Sequence, residues 1–142
     1  MHMVNSRAKG SRFELKIAAD LFDALGIKFE RILDQVREAG LGDLRPVTGM
    51  FPFTIECKHY KEGMFAKPEW WDQACTSARL ANNLPALLWK YNRMPVRCRI
   101  PLQAVIDMAE FNAYSGGANP YDWGYACEVD FDTFCMIARE LM

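Results

Sequence analysis

Hydrophobic and polar residues alternate with different periods along the chain, and each change of period marks an element. From Ser11 to Leu25 the apolar residues Phe13, Ile17, Ala18, Leu21, Phe22 and Leu25 form one helical stripe. Gly26 suits the end of that helix, because glycine enters the left-handed conformation freely. Residues 27–33 (IKFERIL) read as a strand, and 34–50, with Gly40, Gly42, Pro46 and Gly49, as a loop or turn region. The sharpest alternation is at 51–58, FPFTIECK, where Phe51, Phe53, Ile55 and Cys57 interleave with Pro52, Thr54, Glu56 and Lys58. The first set must face a core, so Glu56 and Lys58 share the other face of the strand.

Pro68 is suited to a first helical position and Glu69 to the positive end of a helix over about 68–82, which buries some of Trp70, Trp71, Ala74, Cys75, Ala78 and Ala81. Two strands follow, 84–91 (LPALLWKY) and 96–102 (VRCRIPL), joined by a hairpin turn at 92–95. A short helix over about 103–110, a loop around 115–120, and a last helix capped by Asp130 or Asp132 complete the pattern. The order is helix, three or so strands, helix, two strands, helix. It predicts an α/β fold, a mixed β-sheet flanked by helices, in a single domain spanning 1–142.

Composition narrows the class. No stretch approaches the ~18 apolar residues of a membrane span, and the basic, polar N-terminus has no apolar run for secretion, so a cytoplasmic protein is expected. Five scattered cysteines without a C-x-x-C pair fit reduced thiols, and two histidines at no ligand spacing disfavour zinc. The net charge of −1 conceals a division: residues 1–102 carry 16 Lys/Arg against 11 Asp/Glu, whereas 103–142 carry one Arg against seven acids. Phosphate binding depends on the local field, so DNA is not excluded.

A phosphodiester hydrolase of the metal-dependent kind needs at least two carboxylates to hold a hard cation, and a nearby ammonium to orient water and neutralise charge. Glu56 and Lys58 supply one of each on one strand face, and Asp43 lies upstream in Gly42-Asp43-Leu44. A metal held by Asp43 and Glu56 would also receive the backbone carbonyl of Cys57. An E-x-K triplet alone arises by chance in roughly half of chains this long. Its place at the abruptly charged end of an apolar strand adds weight, since sites of open α/β sheets gather at such ends. Glu14 borders the apolar stripe of the first helix; it is either a member of the site or a flanking residue paired with Lys16 or Arg12.

In this order, Arg7-Ala8-Lys9-Gly10, Glu14, Asp43 and Ile55-Glu56-Cys57-Lys58 resemble the PD-(D/E)XK nuclease superfamily, and within it the Holliday junction resolvases of archaeal and phage type. The resemblance covers roughly residues 5–100 and implies a restriction-endonuclease-like fold. It implies Mg²⁺ (with Mn²⁺ as substitute) on Asp43 and Glu56, Lys58 as the catalytic lysine and Glu14 as an assisting acid that helps with the metal, as a further ligand, or with the water. The acid follows Gly42 instead of a proline, and Asp34 or Glu38 could replace Asp43 as ligand. Gln73 would support the site, while Ser77 stands where RecB-like and lambda-type exonucleases carry tyrosine.

Arg7, Lys9, Arg12 and Lys16 around Gly10, taken as the start of the first helix, form a candidate phosphate site that His59 and Lys61 continue. Trp70 and Trp71 suit core or dimer contacts better than base stacking. The expected activity is a metal-dependent DNA endonuclease selective for Holliday junctions or other branches. A restriction-like or RecB-like nuclease, or a catalytically silent DNA-binding or phage interaction protein, are the alternatives. Symmetric double cutting implies a homodimer, for which Trp70, Trp71 and Trp123 would provide apolar surface.

Overall fold

The computed structural model describes residues 2–32, 42–108, 119 and 121–142. Its elements are α1 (His2–Leu25), β1 (Phe29–Arg31), β2 (Leu44–Pro46), β3 (Phe53–Tyr60), α2 (Pro68–Leu80), β4 (Leu84–Tyr91), β5 (Arg97–Pro101), α3 (Leu102–Met108), β6 (Ala126–Asp130) and α4 (Phe131–Leu141). The strands form one six-stranded mixed sheet in sequence order. All neighbours are antiparallel except β3 and β4, which run parallel in register from Phe53↔Leu84 to Tyr60↔Tyr91. Parallel neighbours need a crossover, and α2 provides it.

The alternation of β3 has the expected consequence. Phe51, Phe53 and Ile55 join Phe13, Ile17 and Leu21 of α1 and Phe134, Ile137 and Ala138 of α4 in the larger core, with Cys57 packed against it. The opposite face of the sheet meets α2, where Trp70, Trp71, Ala74 and Cys75 pack on Leu87, Trp89 and Tyr91. Thr54 and Glu56 are therefore buried as well, beneath α2. A polar residue on the second face of a strand is solvated only when that face is left uncovered.

Several boundaries differ from the expectation. β3 starts after Pro52 and runs on to Tyr60, because pairing with β4 continues to its end. β2, in a region read as loop, and β6, whose acidic sequence gives little apolar signal, are additional strands. The first helix begins at His2, so Gly10 lies in its interior and not at its start. Gly26 ends it with φ of 72°, its amide donating to the Phe22 carbonyl at 2.8 Å. Asp130, not Asp132, caps α4 by accepting from the Thr133 amide at 2.7 Å. The loop expected at 115–120 falls largely outside the described residues, as do Asp34 and Glu38.

Candidate active site

The site forms where β2 and β3 pair. Asp43 directly precedes β2; its amide donates to the Ile55 carbonyl at 2.8 Å and its carbonyl accepts from the Ile32 amide at 2.9 Å. Its side chain turns onto β3, where Oδ2 accepts from the Cys57 amide at 2.7 Å. This bond extends the β2–β3 ladder by one side-chain rung, and it brings the Asp43 carboxylate up to Glu56. The 12 residues between the two acids are thus spanned by an antiparallel pair and its connection.

Gly42 makes this approach feasible. It adopts φ of 70°, and a Cβ there would stand 2.7 Å from the Ile55 carbonyl oxygen and 3.0 Å from Thr54 Cγ2. Proline, locked near φ of about −65°, cannot take this conformation, so the glycine before the acid is a backbone requirement of this chain. Gly42→Ala is expected to destabilise the fold by about 2 kcal/mol or more and to displace Asp43. Urea titration checks the first effect; an unchanged midpoint would remove the constraint.

Glu56 is 3% exposed. Its Oε1 accepts from the Ser77 hydroxyl at 2.9 Å, whereas Oε2 is buried and receives no donor among the described residues. Burial first, then the negative charge and hydrogen-bonding contact of Asp43, push its carboxyl up to about 8; the Ser77 bond and Lys58 pull the other way. Two carboxylates in contact have no proton donor of their own, so either a shared proton or a cation must lie between them. Lys58 follows on the same face, half-buried.

Burial above all, and then the negative field of Asp43, Glu14 and Glu56, raises the pKa of the Cys57 thiol well above the usual thiol range. Hence Cys57 stays a neutral thiol, and its backbone carbonyl remains the group that could face a cation. Glu14, 5% exposed, comes from α1. It pairs with Arg31 of β1 at 3.6 Å, and Arg31 Nη2 also donates to Ser11 at 3.0 Å. Lys16, one expected partner of Glu14, instead pairs with Asp20 at 2.7 Å. Among the described residues no three His, Cys, Asp or Glu side chains form a ready cage for a metal. The carboxylate pair with its buried, donorless oxygen is the group that fits one.

Sequence reasoning missed Ser77 and Arg31. In the sequence Ser77 marks only the absence of a tyrosine, yet it is the residue of α2 that bonds Glu56. Gln73 is exposed one turn earlier on the same helix face as Ser77. Arg31 carries a signal in its strand position, but its partner Glu14 is 17 residues away on a helix.

Around the outer end of β3, Asn92 Oδ1 accepts from Lys9 Nζ at 3.0 Å and lies 2.9 Å from His59 Nε2. An amide oxygen is only an acceptor, so His59 carries its proton on Nε2. Burial, with Lys90, Lys9 and Arg12 nearby, lowers the His59 pKa, while the Asn92 bond opposes the shift. Arg12 and Lys61 are exposed, and the charge of exposed Lys16 is compensated by Asp20. The Arg7 side chain lies outside the described residues. Since α1 begins at His2 and Gly10 lies inside it, Gly10 is not at the helix start that the candidate phosphate site assumed; the phosphate candidates are side chains.

Of the three tryptophans expected to offer apolar surface, Trp123 is exposed, whereas Trp70 and Trp71 are not. Trp70 and Trp71 are 5% and 1% exposed, and Trp71 Nε1 donates to the Tyr121 carbonyl at 2.8 Å. Trp123 lies against the Arg99 guanidinium, 3.4 Å from its ring centroid, and its carbonyl accepts from Arg99 Nη2.

Among protein families, the one described as "Phage putative PDDEXK endonuclease" matches residues 5–136. No curated protein matches in sequence. Among solved structures, the Holliday junction resolvase Hjc of Archaeoglobus fulgidus, an archaeal hyperthermophile, is similar, at 20% identity over 92% of this chain and 88% of Hjc, with a TM-score of 0.48. No helix among the described residues is long and apolar enough to cross a membrane.

Proposed function

Because the chain belongs to the PDDEXK endonuclease family of phage type, we propose that it is a Mg²⁺-dependent DNA endonuclease that cleaves branched DNA, Holliday junctions among its substrates. The observation that carries the reading is the buried Glu56–Asp43 carboxylate contact with Lys58 on the same strand face. Asp43, Glu56 and the Cys57 carbonyl would hold the divalent ion, and Mn²⁺ would substitute for Mg²⁺, both being hard cations that take oxygen ligands. Once bound, the cation supplies Lewis-acid polarisation of the phosphate and charge neutralisation.

The chain's own groups carry the remaining roles. The Cys57 amide and the Ser77 hydroxyl each hold one oxygen of the acid pair, leaving Glu56 Oε2 for the ion. Lys58 orients the attacking water and neutralises charge developing on the phosphate. Glu14, held by Arg31, adds negative potential at the Cys57 side of the pair. Gln73, one helical turn before Ser77 on the same face, would support the lysine or the water. Lys9, Arg12, His59 and Lys61, with Arg7 and Lys16 from the same helix, contact backbone phosphates. Homodimerisation brings two such sites to a junction, through a surface that the buried Trp70 and Trp71 do not form.

Incubation with four-way junction, flap, duplex and single-stranded DNA, with and without Mg²⁺, tests the reading. Metal-dependent cutting that favours the branched substrates is expected; no cutting of any of them would sink it. Mg²⁺ or Mn²⁺ should also raise the melting temperature of the wild type more than that of Asp43→Ala. An equal shift in the two proteins would remove Asp43 as a ligand.

A further inference from the structure

The loop between β3 and α2 is unusual in what it exposes. Met64 and Phe65 are adjacent, 71% and 77% exposed. Yet the loop is pinned from beneath: Tyr91 Oη donates to the Phe65 carbonyl at 2.7 Å. Gly63 leaves no room for a side chain, since a Cβ there would fall within 2.2 Å of the Tyr91 ring. At the loop's root Tyr60 stacks on Trp70, centroids 5.1 Å apart and planes at 8°, with the Lys67 ammonium above both rings. Two apolar side chains are thus held out into water on a fixed platform.

Their surroundings are cationic. Lys61 and Lys67 flank the tip in sequence, and Glu62 is the acid within the loop. A cleft of about 400 Å³ opens beside it, between Lys61–Gly63 and Tyr91–Arg93. Asn92 on its wall is the residue that gathers Lys9 and His59. Glu56, Lys58 and Tyr60 follow one another along a single face of β3, so the loop root lies ~13 Å from Glu56 at the usual rise of a strand. That distance corresponds to about four base-pair steps.

Resting on the DNA-endonuclease reading above, we propose that Met64 and Phe65 form a wedge that stacks against an unpaired or unstacked base where the DNA helix is discontinuous, while Lys61, Arg93 and the Lys9–Asn92–His59 group hold the adjacent backbone. Apolar side chains ringed by cations match a nucleic acid at the one place where its base faces are open. In continuous duplex those faces are covered, so the wedge gains little there. The cations act on any DNA and the wedge only on interrupted stacking, so the two together select branched over continuous substrates.

The test uses the full chain in EDTA, so that no cleavage is required, and measures anisotropy with a four-way junction and with a continuous duplex of equal length. Phe65→Ala should reduce the junction-to-duplex affinity ratio roughly tenfold, and Phe65→Trp, which keeps a stacking face, should restore it. A 2-aminopurine placed at the junction centre should change its fluorescence on binding wild type and not on binding Phe65→Ala. An unchanged ratio in Phe65→Ala, or a wild type without junction preference, would overturn the wedge. So would a change of sedimentation from dimer to monomer in Phe65→Ala, since the surface would then join two copies of the chain. Absence of cleavage with Mg²⁺ would instead count against the nuclease reading, and the binding ratio would still decide the wedge.

Discussion

Glu56→Gln and Lys58→Ala should each lower single-turnover DNA cleavage by roughly a thousandfold or more, with the fold preserved. Glutamine has nearly the shape of glutamate and can still accept from Ser77, so packing beneath α2 is retained. What is lost is the anionic oxygen at Oε2, the one that no neighbouring donor among the described residues occupies. The substituted amide can donate to Asp43, and this closes the gap in which a cation would sit. Lys58 is half-buried and its removal leaves the acid pair intact, so Lys58→Ala should still show a metal-dependent rise in melting temperature. The two variants therefore separate holding the ion from using it. Retained cleavage in both would remove the assignment of the active site, whatever the DNA preference.

The second large effect concerns the protein without metal. A Glu56 carboxyl held up to about 8 from the ordinary 4.5 binds its proton more tightly in the folded than in the unfolded chain. Its contribution to stability is therefore fully present below pH 4.5 and is lost as pH rises towards 8. Between those limits the metal-free protein should lose roughly 3–5 kcal/mol. Glu56→Gln has no proton to lose, so it should remove this slope and be more stable than wild type at pH 8 in EDTA. Mg²⁺ should narrow the difference, since the cation replaces the shared proton between Glu56 and Asp43 and its binding releases that proton. Urea denaturation from pH 5 to 8.5 checks this; parallel profiles for the two proteins would mean that Glu56 is already ionised in the metal-free fold. With the slope removed, Glu56→Gln combines an activity loss with a stability gain at one site, as expected where charge is concentrated for function.

Much of the local structure was legible because it depends on neighbours in sequence. Strand 84–91 coincides with β4, and the helix read at 68–82 is α2 to within two residues. Where local signal is weak the reading failed. β2 has three residues, one of them Pro46, and β6 carries two acids in five. Each is held by pairing with a neighbouring strand more than by its own propensity. The helical turns before Ser11 lack an apolar stripe and include Gly10, which costs a helix interior about 1 kcal/mol against alanine, so nothing in the pattern marks them.

Glu56 and Lys58 illustrate what the sequence by itself determined. Alternation is a property of a single strand, so their common face follows from residues 51–58 alone, as do the glycine at the end of α1 and the cap of α4 narrowed to two acids. Which groups come to meet Glu56 was decided only by the tertiary structure. Asp43 reaches it through a β2–β3 pairing that Gly42 permits, Ser77 through the crossover helix, and Arg31 arrives at Glu14 from the sheet edge. Burial of Trp70 and Trp71, which withdraws them from any interface, follows from the same crossover. Contacts across such separations depend on how the elements pack, and residue periodicity carries no record of that packing.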